Sequence, residues 1–314
     1  MAFRRWFAGA LRKVSVLAST DGCQHTLAGA AIFAGVGLHT GEHVRVAIRP
    51  APADAGVAFI RTDIRDRDNR VPALGEAVVQ TRLGTVIANA AGVTVATVEH
   101  LMAAMCALGV DNAVVELDGP EVPIMDGSSQ PFVELLDHAG LRRQEAPRRY
   151  IEILEPIEVI EGDARVTLSP AASFEMAFEI VFETAAIGRQ RVELAIDEAS
   201  FRAELADCRT FGFLHEVEAL RQIGLARGGS IENALVFDGD VLLNPEGLRR
   251  PDEPVRHKAL DAVGDLYLLG APIIGRYEGI KAGHGSNNAV VRALLARPEA
   301  WRVRTTQAAL AEAV

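Results

Sequence analysis

Apolar and other residues alternate with a period of two early in the chain, where Val44, Val46 and Ile48 are interleaved with Arg45, Ala47 and Arg49. That period predicts a strand with one face on a core and the other in water. With TLAGAAIFAG (26–35) and GVAFIRT (56–62), it makes residues 24–61 a run of short strands separated by Gly, Pro and Asp. GVTVATV (92–98) predicts a further strand. The period then turns helical in EHLMAAMCALG, where Leu101, Met105 and Leu108 share a face and Gly109 ends the helix, and the strand NAVVEL follows. MDGSSQPFVELLDHAG predicts a second helix, with serines at the cap positions, Pro131 near its first turn and Gly140 at its end.

Beyond the charged segment LRRQEAPRRYIEI, where Pro147 suggests a domain boundary, the pattern begins again. GEHVRVAIRPAPA (41–53) is matched by GDARVTLSPAAS (162–173), and EHLMAAMCALGVDNAVVEL by HKALDAVGDLYLLGAPIIGRYE. The implied duplication has a period of about 120 residues, too long for a solenoid. Strands mixed with helices, without strict βαβ alternation, predict an α+β fold. Two related halves are expected, each a two-layer sandwich of a mostly antiparallel sheet and helices, with a small insertion in each half and the active site at their interface. The expected division is an N-terminal extension with no assigned role (1–21), a first domain (22–145) and a second (146–314). The segment around 211–238 adds a helix and a strand that the first half lacks, and is read as an insertion that shapes a pocket.

Composition narrows the function classes. The chain has 314 residues, 49% hydrophobic and 24% charged, as a soluble globular protein does. A formal charge of −10 argues against a nucleic-acid partner, which requires a basic face. Cys23, Cys106 and Cys208 are scattered and never form Cys-x-x-Cys, which fits a reducing cytosol. MAFRRWFAGALRKVSVLAST has the positive start of an export signal, but Arg12 and Lys13 break its apolar run. An amphipathic arm on a membrane surface and a frayed terminus are the other readings of that stretch. No apolar run reaches the roughly 18 residues of a spanning helix.

The chemistry gathers on HKALDAVGD. His257, Asp261 and Asp265 recur at i, i+4 and i+8, one slowly drifting helical stripe on which adjacent members can chelate one ion. Zinc accepts imidazole and carboxylate, and a catalytic site takes three protein ligands and leaves a position for water. His100, on the equivalent helix of the other half, is the best third ligand, and Glu99 beside it suits a general base. The same spacing also serves an ordinary surface hydrogen bond, and the chain lacks His-Glu-x-x-His. His284 sits between glycines in KAGHGSNN near the start of a final helix. There it suits oxyanion stabilisation and protonation of a leaving amine, with Asp265 holding it charged, or else is a polar loop residue.

Six segments, GVGLHTG, TVEHLMAAM, IMDGSSQPFV, RTFGF, RHKALDAVGDL and KAGHGSNN, occur in that order across residues 35–288. Together they resemble the zinc-dependent UDP-3-O-acyl-N-acetylglucosamine deacetylases of lipid A synthesis. The resemblance implies that His100, His257 and Asp261 bind Zn2+, that Glu99 is the general base, and that His284 is the general acid supported by Asp265. It implies that Thr210 holds the polarised oxygen, that Phe211 and Lys258 contact sugar and diphosphate, and that the insertion forms an acyl passage. Leu214, Val217, Ile231, Ala234 and Val236 are the candidates for that passage, with core packing as the competing role for each. Where many members carry lysine after Gly-Asp, this chain has Ala164 followed by Arg165. The expected protein is a cytoplasmic monomer acting on a small acylated nucleotide sugar, working peripherally at the inner membrane. The alternatives are a zinc amidohydrolase for another acylated nucleotide sugar and a non-catalytic binding module.

Overall fold

The computed structural model describes residues 22–306. The N-terminal stretch, with its export and membrane-arm readings, lies outside the described residues. The first half runs β1 (Cys23–Leu27), β2 (Ala31–Val36), β3 (His43–Pro50), β4 (Val57–Arg61) and β5 (Arg70–Pro72). It continues through β6 (Val78–Gln80), β7 (Val86–Ala88), β8 (Thr94–Val95), α1 (Glu99–Leu108), β9 (Ala113–Leu117), α2 (Gln130–Ala139) and β10 (Leu141–Pro147). The second half opens with β11 (Arg149–Ile153), β12 (Ile157–Glu161), β13 (Ala164–Ser169), β14 (Phe174–Val181), β15 (Arg189–Ala195) and α3 (Glu198–Glu204). Then come β16 (Phe211–Phe213), α4 (Leu214–Gln222), β17 (Leu235–Asp238), β18 (Val241–Leu242), α5 (Glu253–Tyr267), β19 (Ile273–Ile280), α6 (His284–Leu295) and β20 (Trp301–Thr305).

The duplication is visible strand by strand. In the first half β9 lies between antiparallel β3 and parallel β4, with β2 and β5 paired antiparallel outside them. In the second half β19 lies between antiparallel β13 and parallel β14, with β12 and β15 outside them in the same senses. Strand β3 therefore corresponds to β13, the pair whose sequences match. Each central strand is preceded by a helix, α1 or α5, and followed by another, α2 or α6. Helices α1 and α5 pack on each other between the two sheets, and the buried apolar side chains form one continuous cluster through both halves. Val44, Val46 and Ile48 are at most 1% exposed, as their alternation requires.

Each half carries its insertion at the same point, after its fourth sheet strand and before its central helix. In the first half it is the three-stranded sheet β6, β7, β8. In the second it is α3 and a β-α-β unit in which β16 runs parallel to β17, with β18 antiparallel on β17. The sequence showed only one helix and one strand there.

Three local expectations change. TLAGAAIFAG is two strands, because Ala28 and Gly29 turn back to bond the carbonyls of Gly140 and Ala139. GVTVATV is extended only at Thr94–Val95, since Thr97 takes a left-handed φ of 57° that reverses the chain before α1. Ser129 does not cap α2; its Oγ donates instead to the His100 carbonyl at 2.7 Å, tying α2 to α1.

Candidate active site

Helix α1 starts where the turn at Thr97 ends and stops at Gly109, whose φ of 75° is the left-handed cap that glycine supplies. Helix α5 begins earlier relative to its histidine, with Glu253 and Pro254 in its first turn, so His257 lies a full turn in while His100 is the second residue of α1. The two helices nearly touch at Gly264. A Cβ there would lie 2.0 Å from the Glu99 carbonyl oxygen, so no larger residue permits this approach.

That contact brings residues from both halves to one point. Asp261 Oδ1 faces His100 Nε2 at 3.3 Å and His257 Nε2 at 3.4 Å, and the three side chains are at most 5% exposed. Asp261 Oδ1 is buried without a hydrogen-bond partner, which is costly for an anion unless a cation meets it. His257 Nδ1 donates to the Cys208 carbonyl at 3.0 Å, leaving the Nε2 lone pair toward Asp261. Burial pushes the His257 pKa down to about 3 despite Asp261, so the ring is neutral as a ligand must be. Burial would raise the Asp261 pKa, but the facing His257 ring, the Lys258 ammonium and the neighbouring His100 ring outweigh it and hold the carboxyl well below its usual range. Two imidazole nitrogens and one carboxylate oxygen, all within 4.8 Å of one another, are a fitting donor set for a divalent metal.

Around this cluster stand two titratable arms. Glu99, 3% exposed, accepts the Thr85 N–H at Oε2 (3.0 Å) and approaches His284 Nε2 with Oε1 (3.8 Å). Burial raises its pKa, opposed by His284 and His100 and reinforced by Asp265 and Asp261. Such a carboxylate can take a proton from water. His284 opens α6, where the hydroxyl of Ser286 and the N–H and carbonyl of Gly283 bond one another. Its Nδ1 bonds Asp265 Oδ2 at 2.8 Å, and Nε2 lies 3.7 Å from Asp261. Burial alone would lower the His284 pKa, but Asp265, Glu99 and Asp261 lift it to about 9. The ring is thus a cation at neutral pH, able to donate from Nε2.

Three supporting residues escaped sequence reasoning. Thr85, from the turn between β6 and β7, donates its hydroxyl to Asp265 Oδ1 (2.5 Å) while its N–H holds Glu99, so one residue braces both arms. Asn287 donates to Asp265 Oδ2 at 2.8 Å and accepts the Tyr277 hydroxyl at 2.6 Å. Asn287 stands inside KAGHGSNN, but nothing local marks Thr85, which is 180 residues from its partner.

Beside the cluster a cleft of about 280 Å³ is lined by Thr210 and Phe211 and by Leu214, Val217, Ile231, Ala234 and Val236, the five candidates named for the acyl passage. Leu38, His39 and Leu83 of the first half also line it. Helix α4 has no buried residue, so Leu214 and Val217 face open space in the cleft rather than a packed core. Phe211 links cleft to cluster, its ring centroid 6.5 Å from that of His257. Thr210 is fixed by its N–H to the Gly127 carbonyl (2.8 Å), so the MDGSS loop of one half positions the insertion of the other.

Lys258 follows His257 on α5. It lies off the stripe, but its flexible arm reaches one turn along to Asp261 Oδ2 (3.2 Å) and over the Phe211 ring (5.9 Å). Arg165, the residue next to Ala164, is paired with Glu158 across the exposed β12–β13 hairpin.

A buried His, His, Asp cluster between duplicated α+β halves, with a carboxylate and a protonated imidazole alongside, is the arrangement of a metal-assisted hydrolase. The family model described as "LpxC: UDP-3-O-acyl N-acetylglycosamine deacetylase" matches residues 24–296, and the chain belongs to that family. It is 69% identical over 291 residues to the UDP-3-O-acyl-N-acetylglucosamine deacetylase of Phenylobacterium zucineum, covering 93% of this chain and 99% of the relative. Proteins of the same name from Myxococcus xanthus (49% identical; 89% of this chain, 88% of the relative) and Neisseria meningitidis (46%; 88% and 92%) are also similar.

Proposed function

We propose that this chain hydrolyses the N-acetyl group of UDP-3-O-(3-hydroxyacyl)-N-acetylglucosamine, giving acetate and the free amine of the lipid A route, with zinc as its metal. The single observation that carries the reading is the convergence of His100 from one half with His257 and Asp261 from the other, beside a cleft lined mostly by apolar residues. Two imidazoles and one carboxylate suit zinc, which when bound polarises the amide carbonyl and lowers the pKa of a coordinated water to about 7.

The chain's own residues supply the rest. Glu99 takes a proton from the attacking water as its oxygen bonds to the amide carbon. Thr210 and the His284 cation stabilise the negative charge that develops on the carbonyl oxygen. His284 then gives its Nε2 proton to the departing nitrogen, the C–N bond breaks, and acetate leaves. Asp265, held by Thr85 and Asn287, keeps the imidazole oriented through Nδ1. Phe211 and Lys258 contact the sugar and diphosphate. Leu214, Val217, Ile231, Ala234 and Val236 take the acyl chain, and a substrate with a fatty tail supports work on the cytoplasmic side, peripherally at the inner membrane.

The test is mass spectrometry of purified protein with UDP-3-O-acyl-N-acetylglucosamines of several chain lengths, with and without chelator. Loss of one acetyl mass that stops on chelation is the expected result. Equal activity toward an unrelated acylated nucleotide sugar, or binding without turnover, would replace this reading.

A further inference from the structure

Glu121 is 0% exposed and follows Pro120, on the segment that leads from β9 toward α2. Among the described residues its partners are all uncharged donors. Oε1 accepts the His39 N–H (3.0 Å) and the Thr97 hydroxyl (2.9 Å), and Oε2 accepts the Thr40 N–H (2.9 Å) and hydroxyl (2.8 Å). A buried carboxyl group with four donors aimed at its two oxygens is a built feature, since each oxygen is met by two of them. The space is made for it as well: a Cβ at Gly37 would lie 2.5 Å from Oε2.

The donors belong to two segments with different duties. Loop 37–41, the GVGLHTG motif, puts Leu38 and His39 on the cleft wall and is bonded to the acyl insertion through Gly228 N–H to Leu38 O (3.0 Å). Thr97 stands two residues before Glu99 and three before His100. Its φ of 57° is one that a β-branched residue adopts only when its surroundings impose it. The backbone around it is clamped to the Glu121 segment by Ala96 N–H to Pro120 O (2.9 Å) and Val122 N–H to Ala96 O (3.0 Å).

We propose that Glu121 is a positioning residue: its buried carboxylate ties the cleft-wall loop 37–41 to the turn that delivers Glu99 and His100. Binding in the cleft and the geometry of the base are thereby joined through one side chain that touches neither substrate nor metal. The proposal rests on the deacetylase reading for its kinetic arm, while its exchange arm is independent of any activity.

Two variants test it. Glu121→Gln keeps the shape but turns an amide NH2 toward the donors of Oε1 or of Oε2, so it loses bonds whichever way it is placed. Thr40→Val is milder, removing one hydroxyl from the cleft loop and nothing from the turn. In hydrogen exchange of each folded variant, amides at 37–41 and at 97–101 should both exchange faster while β13, β14 and β19 stay protected. Loosening confined to 37–41 would overturn the link. In steady-state kinetics per metal-loaded chain, both variants should lower kcat, by at least about tenfold for Glu121→Gln, because small displacements of a reacting group are costly. A rise in KM with kcat unchanged, or a loss that merely tracks the folded fraction, would overturn it too. Absence of turnover in the unaltered protein would count against the deacetylase reading alone and leaves the exchange result to decide the link.

Discussion

Asp261 Oδ1 lies 3.3 Å from His100 Nε2, although the two residues belong to different halves of the molecule and are brought together by the packing of α1 on α5. The oxygen has no hydrogen-bond donor of its own. An ion is what such a geometry serves, and the consequences are measurable.

Metal analysis of purified protein should give about one zinc per chain, and Asp261→Ala should reduce it to near zero, because three ligands are the minimum of a catalytic site. Dialysis against chelator should abolish deacetylation and zinc should restore it. Full activity in a metal-free sample would end the proposal.

Glu99→Gln should keep its zinc, since Glu99 lies outside the three-residue cluster, yet lose roughly 10²-fold or more in kcat for want of a base. Loss of metal in that variant would make Glu99 a ligand instead.

The rate profile should be a bell. Its acid limb reports Glu99, raised by burial, and its alkaline limb reports His284, whose pKa near 9 is the value before a metal neutralises Asp261. Because Asp265 is the strongest of the anions raising His284, Asp265→Asn must move the alkaline limb to lower pH. An alkaline limb that stays in place would remove His284 from the role of acid.

Gly264→Ala should destabilise the fold by about 3 kcal/mol or more, since the new methyl meets backbone rather than a movable side chain. Thermal unfolding measures it, and metal content should fall in step because the same contact aligns the ligands. A variant as stable as the parent would show that α1 and α5 can part without cost.

Lengthening a side chain inside the cleft, as in Ala234→Leu, should lower turnover of long-acyl substrates more than of short ones. Chain-length profiles by mass spectrometry would show it, and an equal loss for all lengths would move the acyl group elsewhere.

How much was legible beforehand follows from the range of each interaction. The alternation of Val44, Val46 and Ile48, the stop at Gly109 and the stripe of His257, Asp261 and Asp265 are local periodicities, so most strands, the helices and two of the three residues of the candidate metal cluster could be read directly. The repeat of the β3 pattern in β13 announced two halves because strands in equivalent places of two similar sheets need the same alternation. Tertiary structure decided the rest. Only the approach at Gly264 sets His100 against Asp261, only the MDGSS loop fixes Thr210, and only a turn in the first-half insertion brings Thr85 to Asp265. The left-handed Thr97 likewise has no signal in its own sequence; the buried carboxylate of Glu121 and the bonds around it impose the turn. Local free energies write the elements into the chain, whereas a site assembled from both halves exists only once their buried surfaces have met.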